Sequence, residues 1–252
     1  TLSKARQSSQ SPPDMRFAWN GNILSDIFRY KISRNWFVPL IQVLIDTEII
    51  TEQPFITLGI IGGASSSLGS KPIEFVLITR RSCLRGGTRY NARGLDDAGN
   101  TANYCETEQM IIYGDYCCSF VIIRGSVPIF WQQRGLTAET KITRSFELTN
   151  GSFLKHFKML RAHYGKIFCI NLMALGKSSE QMLTEAYETH IRANEFTDIK
   201  YEFFDFHGAC KGNKFYNTNP VIERLNPIIQ NLKFHVEDMK TGKRLMSQEG
   251  NF

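Results

Sequence analysis

The sequence predicts an α/β fold, a mixed central β-sheet flanked by helices, and three observations carry that reading. The first half is rich in β-branched apolar runs: WFVPLIQVLIDTEIIT (36–51), PFITLGII (54–61), KPIEFVLIT (71–79) and MIIYGDYCCSFVIIRGSVPIFWQQ (110–133). From residue 166 onward strands alternate with helices: KIFCINLMAL (166–175) and YEFFDFH (201–207) read as strands, SSEQMLTEAYETHIRAN (178–194) and Asn219–Leu232 as helices. A chain of 252 residues, 42% apolar and 12% aromatic, has enough material for the packed core that such a fold needs.

Residues 1–14, TLSKARQSSQSPPD, are polar and Ser/Pro/Gln-rich and read as a disordered lead-in or linker. A helix follows in MRFAWNGNILSDIF, with Trp19, Ile23, Leu24, Ile27 and Phe28 on its buried face and Asn20 or Asn22 as cap. The first two strands are bounded by Pro39, Pro54 and Gly62, and GGASSSLGS (62–70) is a connection. KPIEFVLIT is apolar enough to be a buried central strand, and the long run at 110–133 breaks at Gly114 and at Gly125-Ser126. KITRSFEL (141–148) reads as a short strand, and a helix over Phe153–Tyr164 starts from Asn150 or Ser152, with Phe153, Phe157, Leu160 and Tyr164 sharing a face. Ser178 or Ser179 caps the next helix, and Pro220 suits the first turn of the third. HVEDMKTGKRLMSQEGNF closes the sequence as a hairpin around Thr241-Gly242.

Between two apolar runs lies RRSCLRGGTRYNARGLDDAGNTANYCETEQ (80–109), which places five arginines, two aspartates and four glycines between Arg80 and Gly99. With neither a 3.6 nor a 2.0 apolar period it reads as surface backbone held in a defined shape. Arginine forks grip phosphate or carboxylate oxygens in pairs, and glycine lets backbone amides approach an anion, so the segment suits anion handling. A solvated loop whose Arg and Asp side chains pair with one another fits the same composition. The net charge of +6 and pI near 9.0 favour an anionic partner without choosing among nucleic acid, acidic lipid and phosphorylated substrate.

Cys83, Cys105, Cys117, Cys118, Cys169 and Cys210 form no C-x-x-C pair and read as free thiols of a reducing compartment. The spacing of a thiol phosphatase loop, cysteine, five residues, arginine, occurs at Cys118–Arg124 and at Cys83–Arg89. The first is filled by strand-forming residues. The second follows a strand and has two glycines but lacks a helix behind it. Asp205 and His207 alternate on the predicted strand and would share a face, as a structural or a catalytic pair. Scattered histidines exclude a patterned metal site, the common nucleotide cradles are missing, no cofactor is implied, and the basic residues are not interleaved with aromatics as nucleic-acid binding would require.

RFAWN (16–20), the whole of 80–109, SFVIIRGSVPIFW (119–131), FFDFH (203–207) and SQEGNF (247–252) resemble, in order and spacing, motifs of the Sac-domain phosphoinositide phosphatases over residues 16–252. ITRSFE (142–147) and NARG (91–94) are more similar to the synaptojanin branch. The resemblance implies that 15–252 form a catalytic subdomain, incomplete at its C-terminal end, with 1–14 a linker or the tail of an N-terminal Sac subdomain. It implies hydrolysis of an inositol-ring monophosphate through a cysteinyl-phosphate, with phosphatidylinositol phosphates and an anionic membrane surface as partners, no nucleic acid, and a cytoplasmic, membrane-peripheral location. The family nucleophile, in R-T-N-C-x-D-C-x-D-R-T, would follow Phe252, so no catalytic residue is assigned within these residues and Cys83 is not the nucleophile. A catalytically inactive lipid-binding or scaffolding module is the alternative. Arg85 and Arg89 are expected to raise the positive potential, with Asp96, Asp97 and Glu106 fixing their forks, and Asn103, Arg124, Asp205 and His207 in supporting places. Gly86, Val43 and Ala98 depart from the family's usual Ala, Gly and Asp.

Overall fold

A computed structural model of the chain describes residues 13–32, 38–50, 73–88, 91–133, 139–176 and 178–251. Helix α1 (Gly21–Arg29) leads into strands β1 (Gln42–Ile50), β2 (Ile73–Arg81), β3 (Cys105–Tyr113) and β4 (Tyr116–Arg124), an antiparallel meander in which β3 and β4 are joined by Gly114-Asp115. Two-residue strands β5 (Trp131–Gln132) and β6 (Lys141–Ile142) pair with each other, and α2 (Phe146–Tyr164) follows. Then come β7 (Lys166–Asn171), α3 (Ser178–Ala193), β8 (Ile199–Phe203), the single turn α4 (Phe206–Ala209) and a 3-10 turn (Phe215–Thr218). Helix α5 (Asn219–Leu232), the hairpin β9 (His235–Asp238) and β10 (Lys243–Met246), and β11 (Gly250–Asn251) complete the order.

The strands form a six-stranded antiparallel sheet ordered β1-β2-β3-β4-β9-β10 and a three-stranded parallel sheet ordered β11-β7-β8. The Gln248 side chain joins them. Gln248 Oε1 accepts from Val121 N at 2.8 Å, while its Nε2 donates to Val121 O at 2.8 Å and Gly250 O at 2.6 Å, so the amide stands in for a missing strand residue between β4 and β11. The result is the predicted mixed sheet. Because β4 and β10 are both antiparallel to β9, they run in the same direction, and the chain leaving Met246 through Gln248 carries β11 toward the Arg124 end of β4.

The largest core cluster lies at that end, where Phe17, Leu95, Tyr104 and Phe130 pack with Phe153, Phe157, Leu160 and Tyr164 of α2, Ile167 of β7 and Tyr187 of α3. The Phe153 and Phe157 rings meet at 4.9 Å, and burying such rings dominates the local energetics.

Several expected boundaries differ. Of residues 141–148 only Lys141 and Ile142 form a strand: Ser145 takes an extended backbone and its side chain accepts from Leu148 N, which starts α2 seven residues before Phe153. Asn150 and Ser152 therefore lie inside the helix, where Ser152 Oγ donates to Asp97 O. In α1, Leu24 is fully buried but Ile23 is 64% exposed, and Trp19, in the turn before the helix, is 42% exposed, because a nine-residue helix covers only one narrow stripe. Asn20 spends its side chain on Val38 O and Leu40 N instead of capping. Strand β8 ends at Phe203, so Asp205 and His207 are not on it. Predicted strand 54–61 and connection 62–70 lie outside the described residues. The Asn219–Leu232 helix with Pro220 in its first turn and the Thr241-Gly242 hairpin form as expected.

Candidate functional site

The arginine-rich segment is not a surface loop throughout; its two ends are tied into the core. Ser82 N donates to Tyr104 O, and Cys83 N to Arg16 O, both at 2.9 Å. Beneath this junction lies a buried polar network. Arg16 grips the Asp14 carboxylate with Nε at 3.0 Å and Nη2 at 2.6 Å; Arg80 Nη2 lies 3.3 Å from the same carboxylate and 2.9 Å from Glu106 Oε1. Tyr164 Oη donates to Glu106 Oε2 at 2.5 Å and accepts from Tyr104 Oη at 3.0 Å and Arg16 Nη1 at 3.2 Å. The Arg80 guanidinium lies 3.9 Å from the Phe17 ring centre, a cation–π contact strengthened by the absence of water. Burial pushes up the pKa of both Tyr104 and Tyr164, keeping them as protonated donors. Burial alone would raise the Asp14 carboxyl, but the Arg16 fork and the Arg16 and Arg80 charges more than offset it and hold the group below its usual range.

Above this base the segment is zipped to the turn after β4. Leu95 N donates to Ile129 O, Ser126 N to Ala102 O, Ala102 N to Gly94 O, and Gly94 N to Ser126 Oγ, all at 2.9 to 3.0 Å. Asp96 closes its own turn, accepting from Ala98 N, Asn100 N and Asn100 Nδ2. Gly99 has a φ of +88°, and a Cβ there would lie 2.7 Å from His156 N, so only glycine fits where the loop touches α2. His156 Nδ1 faces Gly99 O at 2.9 Å, which requires the protonated nitrogen to donate; burial lowers its pKa to about 4 and keeps the ring neutral.

The expected side chains are thus distributed as follows. Arg85, at a φ of +48°, does not meet an acid: its Nε donates to Gly94 O at 3.0 Å and its Nη2 to Arg93 O at 2.6 Å. Asn103 bridges Arg81 Nη2 and Ala92 O, and Arg81 also donates to Gly87 O. Forks seated on neutral carbonyls and an amide are not tied to an acid by a hydrogen bond, although Asp97 lies close enough for the Arg85 charge to help lower its pKa. Asp97, expected to hold Arg85, instead takes both nitrogens of Arg144, whose guanidinium lies 3.7 Å from the Phe130 ring centre; that hydrogen bond lowers the Asp97 pKa. Asp96 serves its turn, and Glu106 serves Arg80 and Tyr164. Arg124 is exposed at the end of β4, opposite Cys105. Arg89 lies outside the described residues. Asp205 accepts from Gly208 N at 2.8 Å as the cap of α4, and His207 is exposed in that turn; the local cap replaced the strand alternation that would have paired them.

Neither cysteine with phosphatase spacing is activated. Burial raises the pKa of Cys83, whose Sγ–H faces the Arg16 carbonyl at 3.3 Å, and that of Cys118 on β4. All six cysteines are free thiols. Among the described residues no group of three His, Cys, Asp or Glu side chains is arranged for a metal, and no helix is long and apolar enough to cross a membrane.

Sequence reasoning missed Asp14, Arg80, Tyr164 and Arg144 as partners. The sequence pattern shows Tyr164 only as an apolar face residue, and nothing in a linear pattern marks a hydroxyl that reaches a carboxylate 58 positions away.

The wall built by 82–88, 91–104 and 125–130 stands beside β11. Asn251 pairs with Ile167, and Ile167 packs in the same cluster as Leu95, Tyr104 and Phe130. Asn251 is 1% exposed and its Oδ1 has no hydrogen-bond partner among the described residues. Ligands of α/β sheets bind at the carboxyl ends of parallel strands, and β11 delivers the chain to that edge.

The fold is thus an α/β domain in which Arg81 and Arg85 are seated on carbonyls and an amide near the end of β4. Comparison with known families makes the assignment specific: residues 1–211 match the family described as SacI homology domain, and the chain belongs to that family. It is 33% identical to human synaptojanin-1 over 228 residues, covering 88% of this chain and 13% of that protein. It is 34% identical over 244 residues to inositol-1,4,5-trisphosphate 5-phosphatase 1 of Schizosaccharomyces pombe, covering 94% and 22%. With phosphatidylinositol-3-phosphatase SAC1-A of Danio rerio it shares 32% over 241 residues, covering 95% and 38%. The chain therefore spans well under half of these relatives' own lengths.

Proposed function

We propose that this chain supplies the central sheet and the cationic wall of a phosphatidylinositol phosphate phosphatase, a phosphoric monoester hydrolase acting on the inositol ring. The observation that carries the reading is the placement of the wall at the edge where β11 emerges, sharing one buried cluster with the strand beside it. Names of the relatives as phosphoinositide and inositol phosphatases support the substrate class.

In the family reaction a cysteine thiolate attacks phosphorus, the inositol hydroxyl leaves with a proton, and water then hydrolyses the cysteinyl-phosphate. The residues here would contribute electrostatics and rigidity. Arg81 and Arg85, held on carbonyls, and exposed Arg124 present positive potential to a dianionic phosphate, while the Asp14–Arg16–Arg80–Glu106–Tyr164 network fixes the wall. Asp96, Asp97, Asn103, Asp205 and His207 take supporting places, and the protein would work at the cytoplasmic face of a membrane without spanning it. The test is phosphate release from short-chain phosphatidylinositol phosphates by the protein extended past Phe252 through the R-T-N-C loop. Turnover abolished by replacing that loop's cysteine is expected; a folded protein with its loop intact and no release contradicts the reading.

A further inference from the structure

The loops leaving β7 and β8 carry a group of exposed side chains that the wall does not use. Leu172 is 51% exposed and Leu175 60%; Phe215 is 57% exposed and Tyr216 65%. The strands are parallel neighbours and Phe204 N donates to Asn171 O at 2.9 Å, so both loops leave the sheet side by side, at the carboxyl edge toward which β11 also points.

The second loop is braced rather than slack. Phe206 lies between Phe204, which meets it edge-on at 6.5 Å, and Phe215, which stacks on it at 6.3 Å; Asn217 Nδ2 donates to Ala209 O at 2.7 Å, and Thr218 Oγ1 donates to Phe215 O at 2.7 Å. Such bracing holds Phe215 and Tyr216 outward, although large aromatic rings gain from burial. Their surroundings are cationic. No acidic residue occurs between Asp205 and Glu223 or between Lys166 and Ser179, whereas Lys211 and Lys214 are exposed beside the aromatic pair. Apolar and aromatic tips with adjacent lysines, where the nearby Glu180 and Asp205 carboxylates are taken up by the Ala174 and Gly208 amides, match the interface of an anionic bilayer, where rings sit at headgroup depth and lysines meet lipid phosphates.

We propose that the loops after β7 and β8 form the membrane-contact surface of this protein: Leu172, Leu175, Phe215 and Tyr216 enter the interfacial layer, and Lys211 and Lys214 face anionic headgroups. The proposal rests on the phosphatase reading in one respect, that the edge carrying these loops also carries the phosphate site. Contact there would hold the site against the lipid surface, where a phosphoinositide headgroup must be met.

The test is sedimentation of the full-length protein with vesicles of phosphatidylcholine containing phosphatidylserine, with hydrolysis of a dispersed short-chain phosphatidylinositol phosphate measured in parallel. Phe215→Ser/Tyr216→Ser should weaken vesicle binding about tenfold or more, and Lys211→Ala/Lys214→Ala should weaken it about tenfold at low salt with the difference vanishing at high salt. Hydrolysis of the dispersed substrate should be unchanged in both. Wild-type-like vesicle binding by both variants, or no binding by the wild type, overturns the proposal. Absence of hydrolysis by the wild type counts against the phosphatase reading alone, because sedimentation still reports on the surface.

Discussion

Glu106 is fully buried and holds Arg80 and Tyr164 together, so the arginine-rich segment depends on it although it touches no solvent. Glu106→Ala removes the nearer and fully buried of the two acids on the Arg80 guanidinium, leaving only the 3.3 Å Asp14 contact, and should cost about 3 kcal/mol in urea unfolding. Tyr164→Phe removes a hydroxyl with three partners but no charge, and should cost about 1–3 kcal/mol. His156 gives a pH signature. Its folded pKa of about 4 lies below the ordinary value of 6.5, so the unfolded chain takes up a proton first as the pH falls. Its contribution is whole above pH 6.5 and is lost between 6.5 and 4, at about 1.4 kcal/mol per pH unit. His156→Asn, which keeps a donor near the Nδ1 position, should flatten that part of a stability-against-pH curve. An unchanged slope would contradict the buried neutral imidazole.

Among the elements, local chemistry was legible wherever it also decided the outcome. Helix α5 begins at Asn219 and ends at Leu232 as its apolar spacing and Pro220 indicate, and Gly242 turns the final hairpin. Reading failed where a polar side chain competed with a period. ITRSFEL has strand-forming residues, but Ser145 accepts Leu148 N and starts a helix; FFDFH alternates, but Asp205 accepts Gly208 N and ends the strand. The arginine and acid positions were legible as a cluster, yet not the pairing within it. Arg85 ended on carbonyls and Asp97 on Arg144, because loop geometry rather than composition selects partners. Glycine 99 offers the element-scale test: Gly99→Ala puts a Cβ 2.7 Å from the α2 backbone at a φ of +88° and should destabilise by roughly 1–3 kcal/mol, whereas Ala98→Gly, one residue away, should cost less than about 1 kcal/mol. Equal thermal shifts for the two would contradict the packing of the loop on α2.

For the whole molecule, the Gln248 amide bridges the antiparallel and the parallel sheet beside β11. Gln248→Leu should leave the Val121 amide without its acceptor and raise its hydrogen-exchange rate by about tenfold or more, while β2 and β3 amides hold their protection. The central claim is that the wall at this edge acts electrostatically on a phosphomonoester. Its most direct test is kcat/KM for short-chain phosphatidylinositol phosphate hydrolysis, measured against salt, in the full-length protein and in Arg124→Gln, a change at an exposed strand end. A severalfold lower kcat/KM at low salt, converging with wild type as salt screens the charge, is the predicted result. Identical values at every ionic strength, with an unchanged melting curve, would contradict it.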